Sequence, residues 1–273
     1  MKQKTIDNVS LVFDPGEQDT AYVIGGACER AIQLAQEMWG LGSPDDCRIY
    51  VMTSWPGFVF RSAPWSWRIL LGATIPFWVF RVRRTWPYSA AWTQRYGRGI
   101  AIGVKPPRLL AQSDRSIGVR IVGEEKDMKV NVLHVTCHEL VHACSAHLCL
   151  PMWLNEGIAT VTVDRFLGKP TMRWETLALM RDFMPKTAPP TYRKLSRMGL
   201  ETIAYQGIRG YWLVQYLEGK RPGFLRRIFS QGQSAKTIER EVAIALGMEP
   251  ESFWSEIDEV VVDHFESKGE RTP

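Results

Sequence analysis

The segment His138-Glu139-Leu140-Val141-His142 constrains this chain more than any other, because it lies inside a stretch with the apolar periodicity of a helix, predicted over residues 130–147. On an α-helix, residues four apart differ by about 40° in azimuth and by one turn in height. Both imidazoles therefore point the same way and can bind one tetrahedral metal ion. Glu139 lies about 100° around the helix from His138. It is poorly placed as a ligand, but it can take a proton from a water bound to the ion.

A third ligand is predicted on the next helix along the chain. After Pro151, a helix over residues 153–166 begins with Trp-Leu-Asn-Glu-Gly-Ile-Ala, and we expect it to pack antiparallel to the first helix. Its Glu156 completes a set of His, His and Glu that leaves a fourth zinc position for water. His134 extends the histidine row one turn upstream. We interpret it as a neighbour of the site, since pairing it with His138 would leave no glutamate beside the first histidine.

These two segments resemble the gluzincin metallopeptidases, in particular the aminopeptidase-N-like branch and the small bacterial peptidase-MA-like proteins. Residues 153–159 match all but one position of the Trp-Leu-Asn-Glu-Gly-Phe-Ala segment of that branch. The resemblance covers residues 130–260. It implies a zinc metallopeptidase that cleaves peptide or protein substrates, with one Zn²⁺ held by His138, His142 and Glu156. It further implies two catalytic side chains: Glu139 as general base, and Tyr205, in a Tyr-Gln-Gly segment, as a hydrogen-bond donor to the oxyanion.

The chain departs from the family pattern at several points. The interval between His142 and Glu156 is shorter than in aminopeptidase N, as in the peptidase-MA-like proteins. A Gly-x-Met-Glu-Asn segment, which binds a free N-terminus in aminopeptidases, is missing from the sequence, so endopeptidase and exopeptidase activity both stay open. Thr160 stands where thermolysin-type proteins have Asp, and Asp164 is considered as its replacement in orienting a histidine. The family's substrate-pairing strand corresponds here to residues 117–122.

Charge and tryptophan are concentrated in one part of the chain. Residues 47–113 contain no Asp or Glu but ten Lys or Arg, whereas the remaining residues include 24 basic and 29 acidic ones. Six of the 11 tryptophans lie in the same window. Its insertion, at about residues 55–98, is interpreted either as core with a basic face or as a hairpin on an anionic membrane surface. In the second case the apolar residues 69–80 would be surrounded by Trp65, Trp67, Trp78 and Trp86.

The alternative to an enzyme is a catalytically silent zinc-binding module that docks on a membrane or a protein partner through this Trp/Arg-rich insertion. The intact Glu139 favours the enzyme, since a protein without turnover does not need the base. Nucleic acid is not expected as a partner, because residues 69–80 are too apolar for a groove that binds it.

Periodicity in the rest of the chain predicts an α+β protein in two parts. Residues 1–128 are predicted as a small α/β subdomain with a mixed sheet, containing a helix at 22–39 and strands at 9–13, 48–53, 99–104 and 117–122. Residues 129–273 are predicted as an all-helical subdomain of the zincin type. Its further helices are expected at 173–183, 202–217, 222–230, 235–246 and 251–264.

Composition indicates a globular protein in a reducing compartment. Among 273 residues 45% are hydrophobic, and the five cysteines do not make a disulfide framework. We expect Cys137 and Cys144 to be small buried side chains. No apolar stretch follows the N-terminal lysines, so no signal peptide is predicted. Because residues 69–80 are shorter than the roughly 20 needed to span a bilayer, we expect a cytoplasmic protein, peripheral at a membrane if it contacts one.

Overall fold

A computed structural model describes residues 2–6, 8–113, 121–183, 189 and 200–269. They form an α+β fold, as predicted, in which a five-stranded mixed sheet in the N-terminal part is followed by helices. The chain divides into two compact units. Unit 1 contains residues 1–33, 42–116 and 124–144, and unit 2 contains residues 34–41, 117–123 and 145–273. Residues 129–144, which the sequence places with the helical part, thus share a unit with the sheet.

The sheet of unit 1 contains the strands β1 (Lys2–Ile6), β2 (Val9–Phe13), β3 (Cys47–Val51), β4 (Ala91–Tyr96) and β5 (Gly99–Val104). Their order in the sheet is β1-β2-β3-β5-β4. Its central strands β2, β3 and β5 are parallel, while β1 and β4 pair antiparallel at the two ends. The bounds of β2 and β5 confirm the prediction, whereas the sequence does not predict β1 or β4. Residues 117–120 of the expected fourth strand lie outside the described residues, and Val122 forms an isolated bridge with Met172.

Helices cover both faces of this sheet. On one face, the small residues of α1 (Gln18–Trp39) allow a close approach, and the Cα of Gly25 faces the side chains of Ile6 and Leu11. Since neighbouring residues of a strand point to opposite faces, Val12 faces the other side. Unit 1 also contains the short helix α5 (Pro107–Ala111) and α6 (Met128–Ser145) up to Cys144, and α6 carries the two candidate metal-binding histidines.

The Trp-rich segment forms three helices on the second face: α2 (Trp55–Ser62), α3 (Trp65–Ala73) and α4 (Ile75–Thr85). One hydrophobic cluster joins residues of these helices to strand residues. Trp55 lies at its centre, with its ring centroid 4.8 Å from that of Trp78 and 5.8 Å from that of Trp92. Trp86 also packs against the cluster. Much of the tryptophan in this segment therefore belongs to the core.

Unit 2 contains the helices α7 (Met152–Leu167), α8 (Thr176–Phe183), α9 (Leu200–Lys220), α10 (Phe224–Phe229), α11 (Ala235–Ala245) and α12 (Phe253–Gly269). Of these, α7 and α9 are in closest contact. The two cross where Gly157 meets Gly210, and a Cβ atom added at Gly210 would overlap the carbonyl oxygen of Trp153. The adjacent Arg209 is buried and donates to Asp258 from Nε at 2.8 Å and from Nη2 at 2.7 Å.

Of the described helices, none combines the length and the apolar character that a membrane span requires. The two helices formed by the apolar part of the Trp-rich segment, α3 and α4, have 9 and 11 residues. At about 1.5 Å per residue these are about half the thickness of a bilayer's hydrocarbon core.

Candidate metal centre

His138 and His142 converge from one face of α6. Their Nε2 atoms are 3.0 Å apart, and the ring planes are perpendicular with centroids 4.6 Å apart. Both side chains are half-buried. The spacing of four residues therefore aims two imidazole nitrogens at one point, as expected from helix geometry.

Glu156 of α7 joins this pair. The ligand atoms of His138, His142 and Glu156 all lie within 4.8 Å of one another, and each side chain is half-buried. A tetrahedral Zn²⁺ with Zn–N bonds of about 2.0–2.1 Å keeps neighbouring ligand atoms about 3.4 Å apart. Two imidazoles and a carboxylate fit Zn²⁺ and also other divalent first-row metals.

The connection between α6 and α7 is held by its own hydrogen bonds. Ser145, the last residue of α6, donates from Oγ to Oδ1 of Asn155 at 2.8 Å. The main-chain N–H of Asn155 donates to the carbonyl of Pro151 at 3.0 Å. Within the turn, Cys149 adopts a left-handed conformation with φ of 49°. These hydrogen bonds fix the first turn of α7. They hold Asn155 in place, and Glu156 is the next residue along the helix.

Glu139 is tied to the edge of the sheet. The hydroxyl of Thr93, on β4, donates a short hydrogen bond to Oε2 of Glu139. The predicted general base is therefore held through one oxygen by a residue 46 positions earlier in the chain. The sequence does not identify Thr93 as part of the site, because it does not predict the strand that carries this residue.

The main chain of Thr93 faces away from the sheet. The amide of Lys105 donates to the carbonyl of Ala90 at 3.1 Å, and the register continues with Trp92 opposite Gly103. In an antiparallel ladder, every second residue turns its N–H and C=O toward the partner strand. Thr93 falls between these positions. Its N–H and C=O therefore point to the outer edge of β4, which is an end strand among the described strands.

Three other predicted neighbours of the site have different surroundings. Tyr205 is half-buried in the second turn of α9, and its role in catalysis stays a prediction. His134 lies outside the three-residue cluster found among the described residues. Burial, with a smaller effect of the nearby His138, lowers the pKa of His134 to about 4, so its imidazole is neutral at pH 7. Thr160 donates to the carbonyl of Glu156 at 2.9 Å, within its own helix.

Asp164 does not take the orienting role considered for it. Its Oδ1 accepts from the amide and the hydroxyl of Thr171 at 2.7 and 2.6 Å, and its Oδ2 accepts from the hydroxyl of Tyr211 at 2.7 Å. Burial raises the pKa of Asp164, and these hydrogen bonds oppose the rise. The carboxylate thus ties the C-terminal half of α7 to the following turn and to α9.

Compared with known proteins, the sequence matches no family model and no curated protein at a significant level.

Proposed function

We propose that the protein is a zinc-dependent peptide hydrolase of the gluzincin type. The observation that carries the proposal is the convergence of His138, His142 and Glu156, with Glu139 set between the two histidines on the same helix. The resemblance of residues 138–142 and 153–159 to gluzincin segments supports it. So does the contact from Thr93, because it positions a carboxylate that a purely structural metal site would not require.

The three ligand side chains would hold one Zn²⁺ through Nε2 of His138, Nε2 of His142 and a carboxylate oxygen of Glu156. When bound, the ion polarises a carbonyl group and lowers the pKa of its water to about 7. Both imidazoles must be neutral to serve as ligands, so protons compete with the metal at acid pH.

Glu139 would act as the general base and then as the acid. Thr93 holds Oε2, which leaves Oε1 to accept the proton of the attacking water. The same carboxyl group then delivers that proton to the nitrogen of the leaving amine, as the bond between carbonyl carbon and nitrogen breaks. Tyr205, assigned from the family resemblance, would donate from its hydroxyl to the oxyanion, a contribution typically about 10²–10³ in rate.

The outer edge of β4 is the segment that we assign to substrate binding, in place of residues 117–122. An extended peptide that adds to this edge would hydrogen-bond to the N–H and C=O of Thr93, next to the Glu139 carboxylate. Main-chain recognition of this kind favours a peptide or protein substrate over a small molecule.

The proposal is tested by metal analysis of the purified protein together with a quenched fluorescent peptide library. We expect close to one equivalent of zinc per chain and cleavage of part of the library. Glu139→Gln should keep the zinc and lose at least about 10²-fold in rate, since it removes the base and leaves the ligands in place. Glu256→Gln, the same change at an exposed position of α12, should leave both readouts unchanged.

Three results would contradict the proposal or one of its parts. A Glu139→Gln variant as fast as the wild type would contradict the mechanism. Full zinc content in a His142→Ala variant would contradict the metal site. One equivalent of zinc with no cleavage of any peptide would instead support the silent zinc-binding module.

A further inference from the structure

The helices α3 and α4 form a hairpin with an exposed apolar outer surface, which we call the hairpin face. Four of its side chains are largely exposed: Trp65 by 74%, Ile69 by 65%, Phe77 by 86% and Phe80 by 73%. Leu70 is the fifth member. Trp65 and Ile69 are four residues apart in α3, so they lie on one side of that helix. Phe77 and Phe80, three residues apart, likewise lie on one side of α4. Five large apolar side chains turned toward solvent are costly unless something covers them.

The hairpin face is a consequence of how the hairpin is anchored. On its inner side, Leu71, Trp78 and Val82 pack on the core cluster of the sheet. At the turn, Thr74 donates from its hydroxyl to the carbonyl of Leu70 at 2.7 Å, and the indole N–H of Trp78 donates to the carbonyl of Leu71 at 3.2 Å. The inner residues and the turn therefore fix the hairpin, and the outer residues are exposed by the folded structure itself.

Charge distinguishes the kind of partner that this surface fits. Within residues 47–113 the chain supplies only cationic side chains and no carboxylates. Arg68 and Arg83, which flank the face, are both exposed. Within the described part of the chain, Arg68 donates only to main-chain carbonyls, those of Ala63 at 2.9 Å and Arg61 at 3.3 Å, so no carboxylate there neutralises it. The nearby Arg61 is instead paired with Asp14 at 3.0 Å. A second copy of the chain docked through the same face would oppose arginine to arginine. An anionic lipid surface offers phosphate and carboxylate groups to the arginines and an apolar interior to the rings.

We propose that the hairpin face docks the protein on the surface of an anionic lipid bilayer. Phe77, Phe80 and Ile69 enter the boundary between headgroups and acyl chains, and Trp65 lies at headgroup level, where an indole satisfies both environments. With helices of 9 and 11 residues, the hairpin lies in the interface and does not cross it. This inference does not rest on the proposed hydrolase activity.

Flotation of the full chain with lipid vesicles tests the proposal. We expect co-flotation with vesicles of phosphatidylcholine mixed with phosphatidylserine, much weaker flotation with phosphatidylcholine alone, and loss of binding in high salt. The double variant Phe77→Ser and Phe80→Ser should reduce the bound fraction at least about tenfold, because it removes the two most exposed rings of the face. Tyr22→Ser and Ile244→Ser, exposed by 79% and 53% outside the hairpin, form the matched control and should bind like wild type.

A second readout covers the case in which the double variant is poorly folded. Brominated lipids quench indoles that reach the membrane, so anionic vesicles containing them should quench the wild type, and Trp65→Phe should remove a measurable part of that quenching. Equal and negligible flotation with both vesicle types would overturn the proposal. So would a dimer in solution that disappears in the Phe77/Phe80 variant while the wild type fails to float, since the face would then serve self-association.

Discussion

At the scale of single residues, the hydrogen bond from Thr93 to Glu139 has the most direct bearing on the proposed chemistry. It restricts the rotation of a half-buried carboxylate on α6. A hydrogen bond to a charged group typically contributes about 1.5–3 kcal/mol. If Glu139 is the base, Thr93 is a positioning residue whose effect should appear in the chemical step.

Replacing Thr93 by Val should lower kcat about tenfold or more and leave KM and zinc content near their wild-type values. Valine has the shape of threonine but cannot donate, while the main chain of β4 is unchanged. Thr93→Ser retains the hydroxyl and should recover most of the rate. Steady-state kinetics on one cleaved peptide, with metal analysis of each variant, provides the measurement. Equal kcat in the valine variant, or loss of zinc from it, would show that Thr93 has another role.

At the scale of secondary-structure elements, the crossing of α7 and α9 determines where Glu156 lies. The two helices touch through their main chains, because a Cβ at Gly157 would overlap the carbonyl oxygen of Gly210 and approach Cγ2 of Val214 to 2.7 Å. Glu156 immediately precedes this crossing. The distance between the helices thus depends on two residues without side chains.

Gly210→Ala should destabilise the protein by about 3 kcal/mol or more, because the added methyl group overlaps the main chain of α7, which cannot rotate away. Gly207→Ala, in the same helix, should be neutral or stabilising by up to about 1 kcal/mol, since nothing lies within 4 Å of the added atom and alanine favours the helix. Urea denaturation of both variants compares the two effects. Equal free energies of unfolding would refute a close crossing at Gly210.

The elements that the sequence predicts are those with a strong apolar pattern. Strands β2 and β5 are almost fully buried, so their apolar residues alone predict them. Strand β1 is missed because its sequence, Lys-Gln-Lys-Thr-Ile, is exposed over four of five residues and carries no core-facing signal. Strand β4 is missed because its end position leaves most of its residues half-buried. Helix spacing likewise predicts the convergence of His138 and His142, whereas the contact from Thr93 depends on how β4 pairs and has no local signature.

At the scale of the whole molecule, buried thiols link stability to pH. Four cysteines are buried in unit 1: Cys28 of α1, Cys47 of β3, and Cys137 and Cys144 of α6. The expected burial of Cys137 and Cys144 is thus confirmed. Burial raises the pKa of the thiols of Cys47, Cys137 and Cys144 to about 12. Each therefore remains protonated in the folded protein at a pH where the unfolded chain ionises.

The free energy of unfolding should consequently fall as the pH rises from about 9 toward 12. In that window the unfolded state releases a proton that the folded state keeps, so each raised thiol contributes a loss of up to about 1.4 kcal/mol per pH unit. Urea denaturation under reducing conditions at several pH values measures the slope. Cys144→Ala should make it shallower, whereas Cys149→Ala, which removes an exposed thiol, should not change it. Identical slopes in all three proteins would contradict the assignment.

The contact between α7 and α9 makes the position of Glu156 independent of its own side chain. Since main-chain atoms set the spacing of these helices, the side chain at position 156 can change without moving the helix that carries it. If Glu156 holds a metal ion as proposed, substituting it by Asp or His would alter the hardness and reach of one ligand on an unchanged scaffold. The metal preference of the proposed centre would therefore be open to engineering at a single position, while Gly157 and Gly210 restrict what can be changed around it.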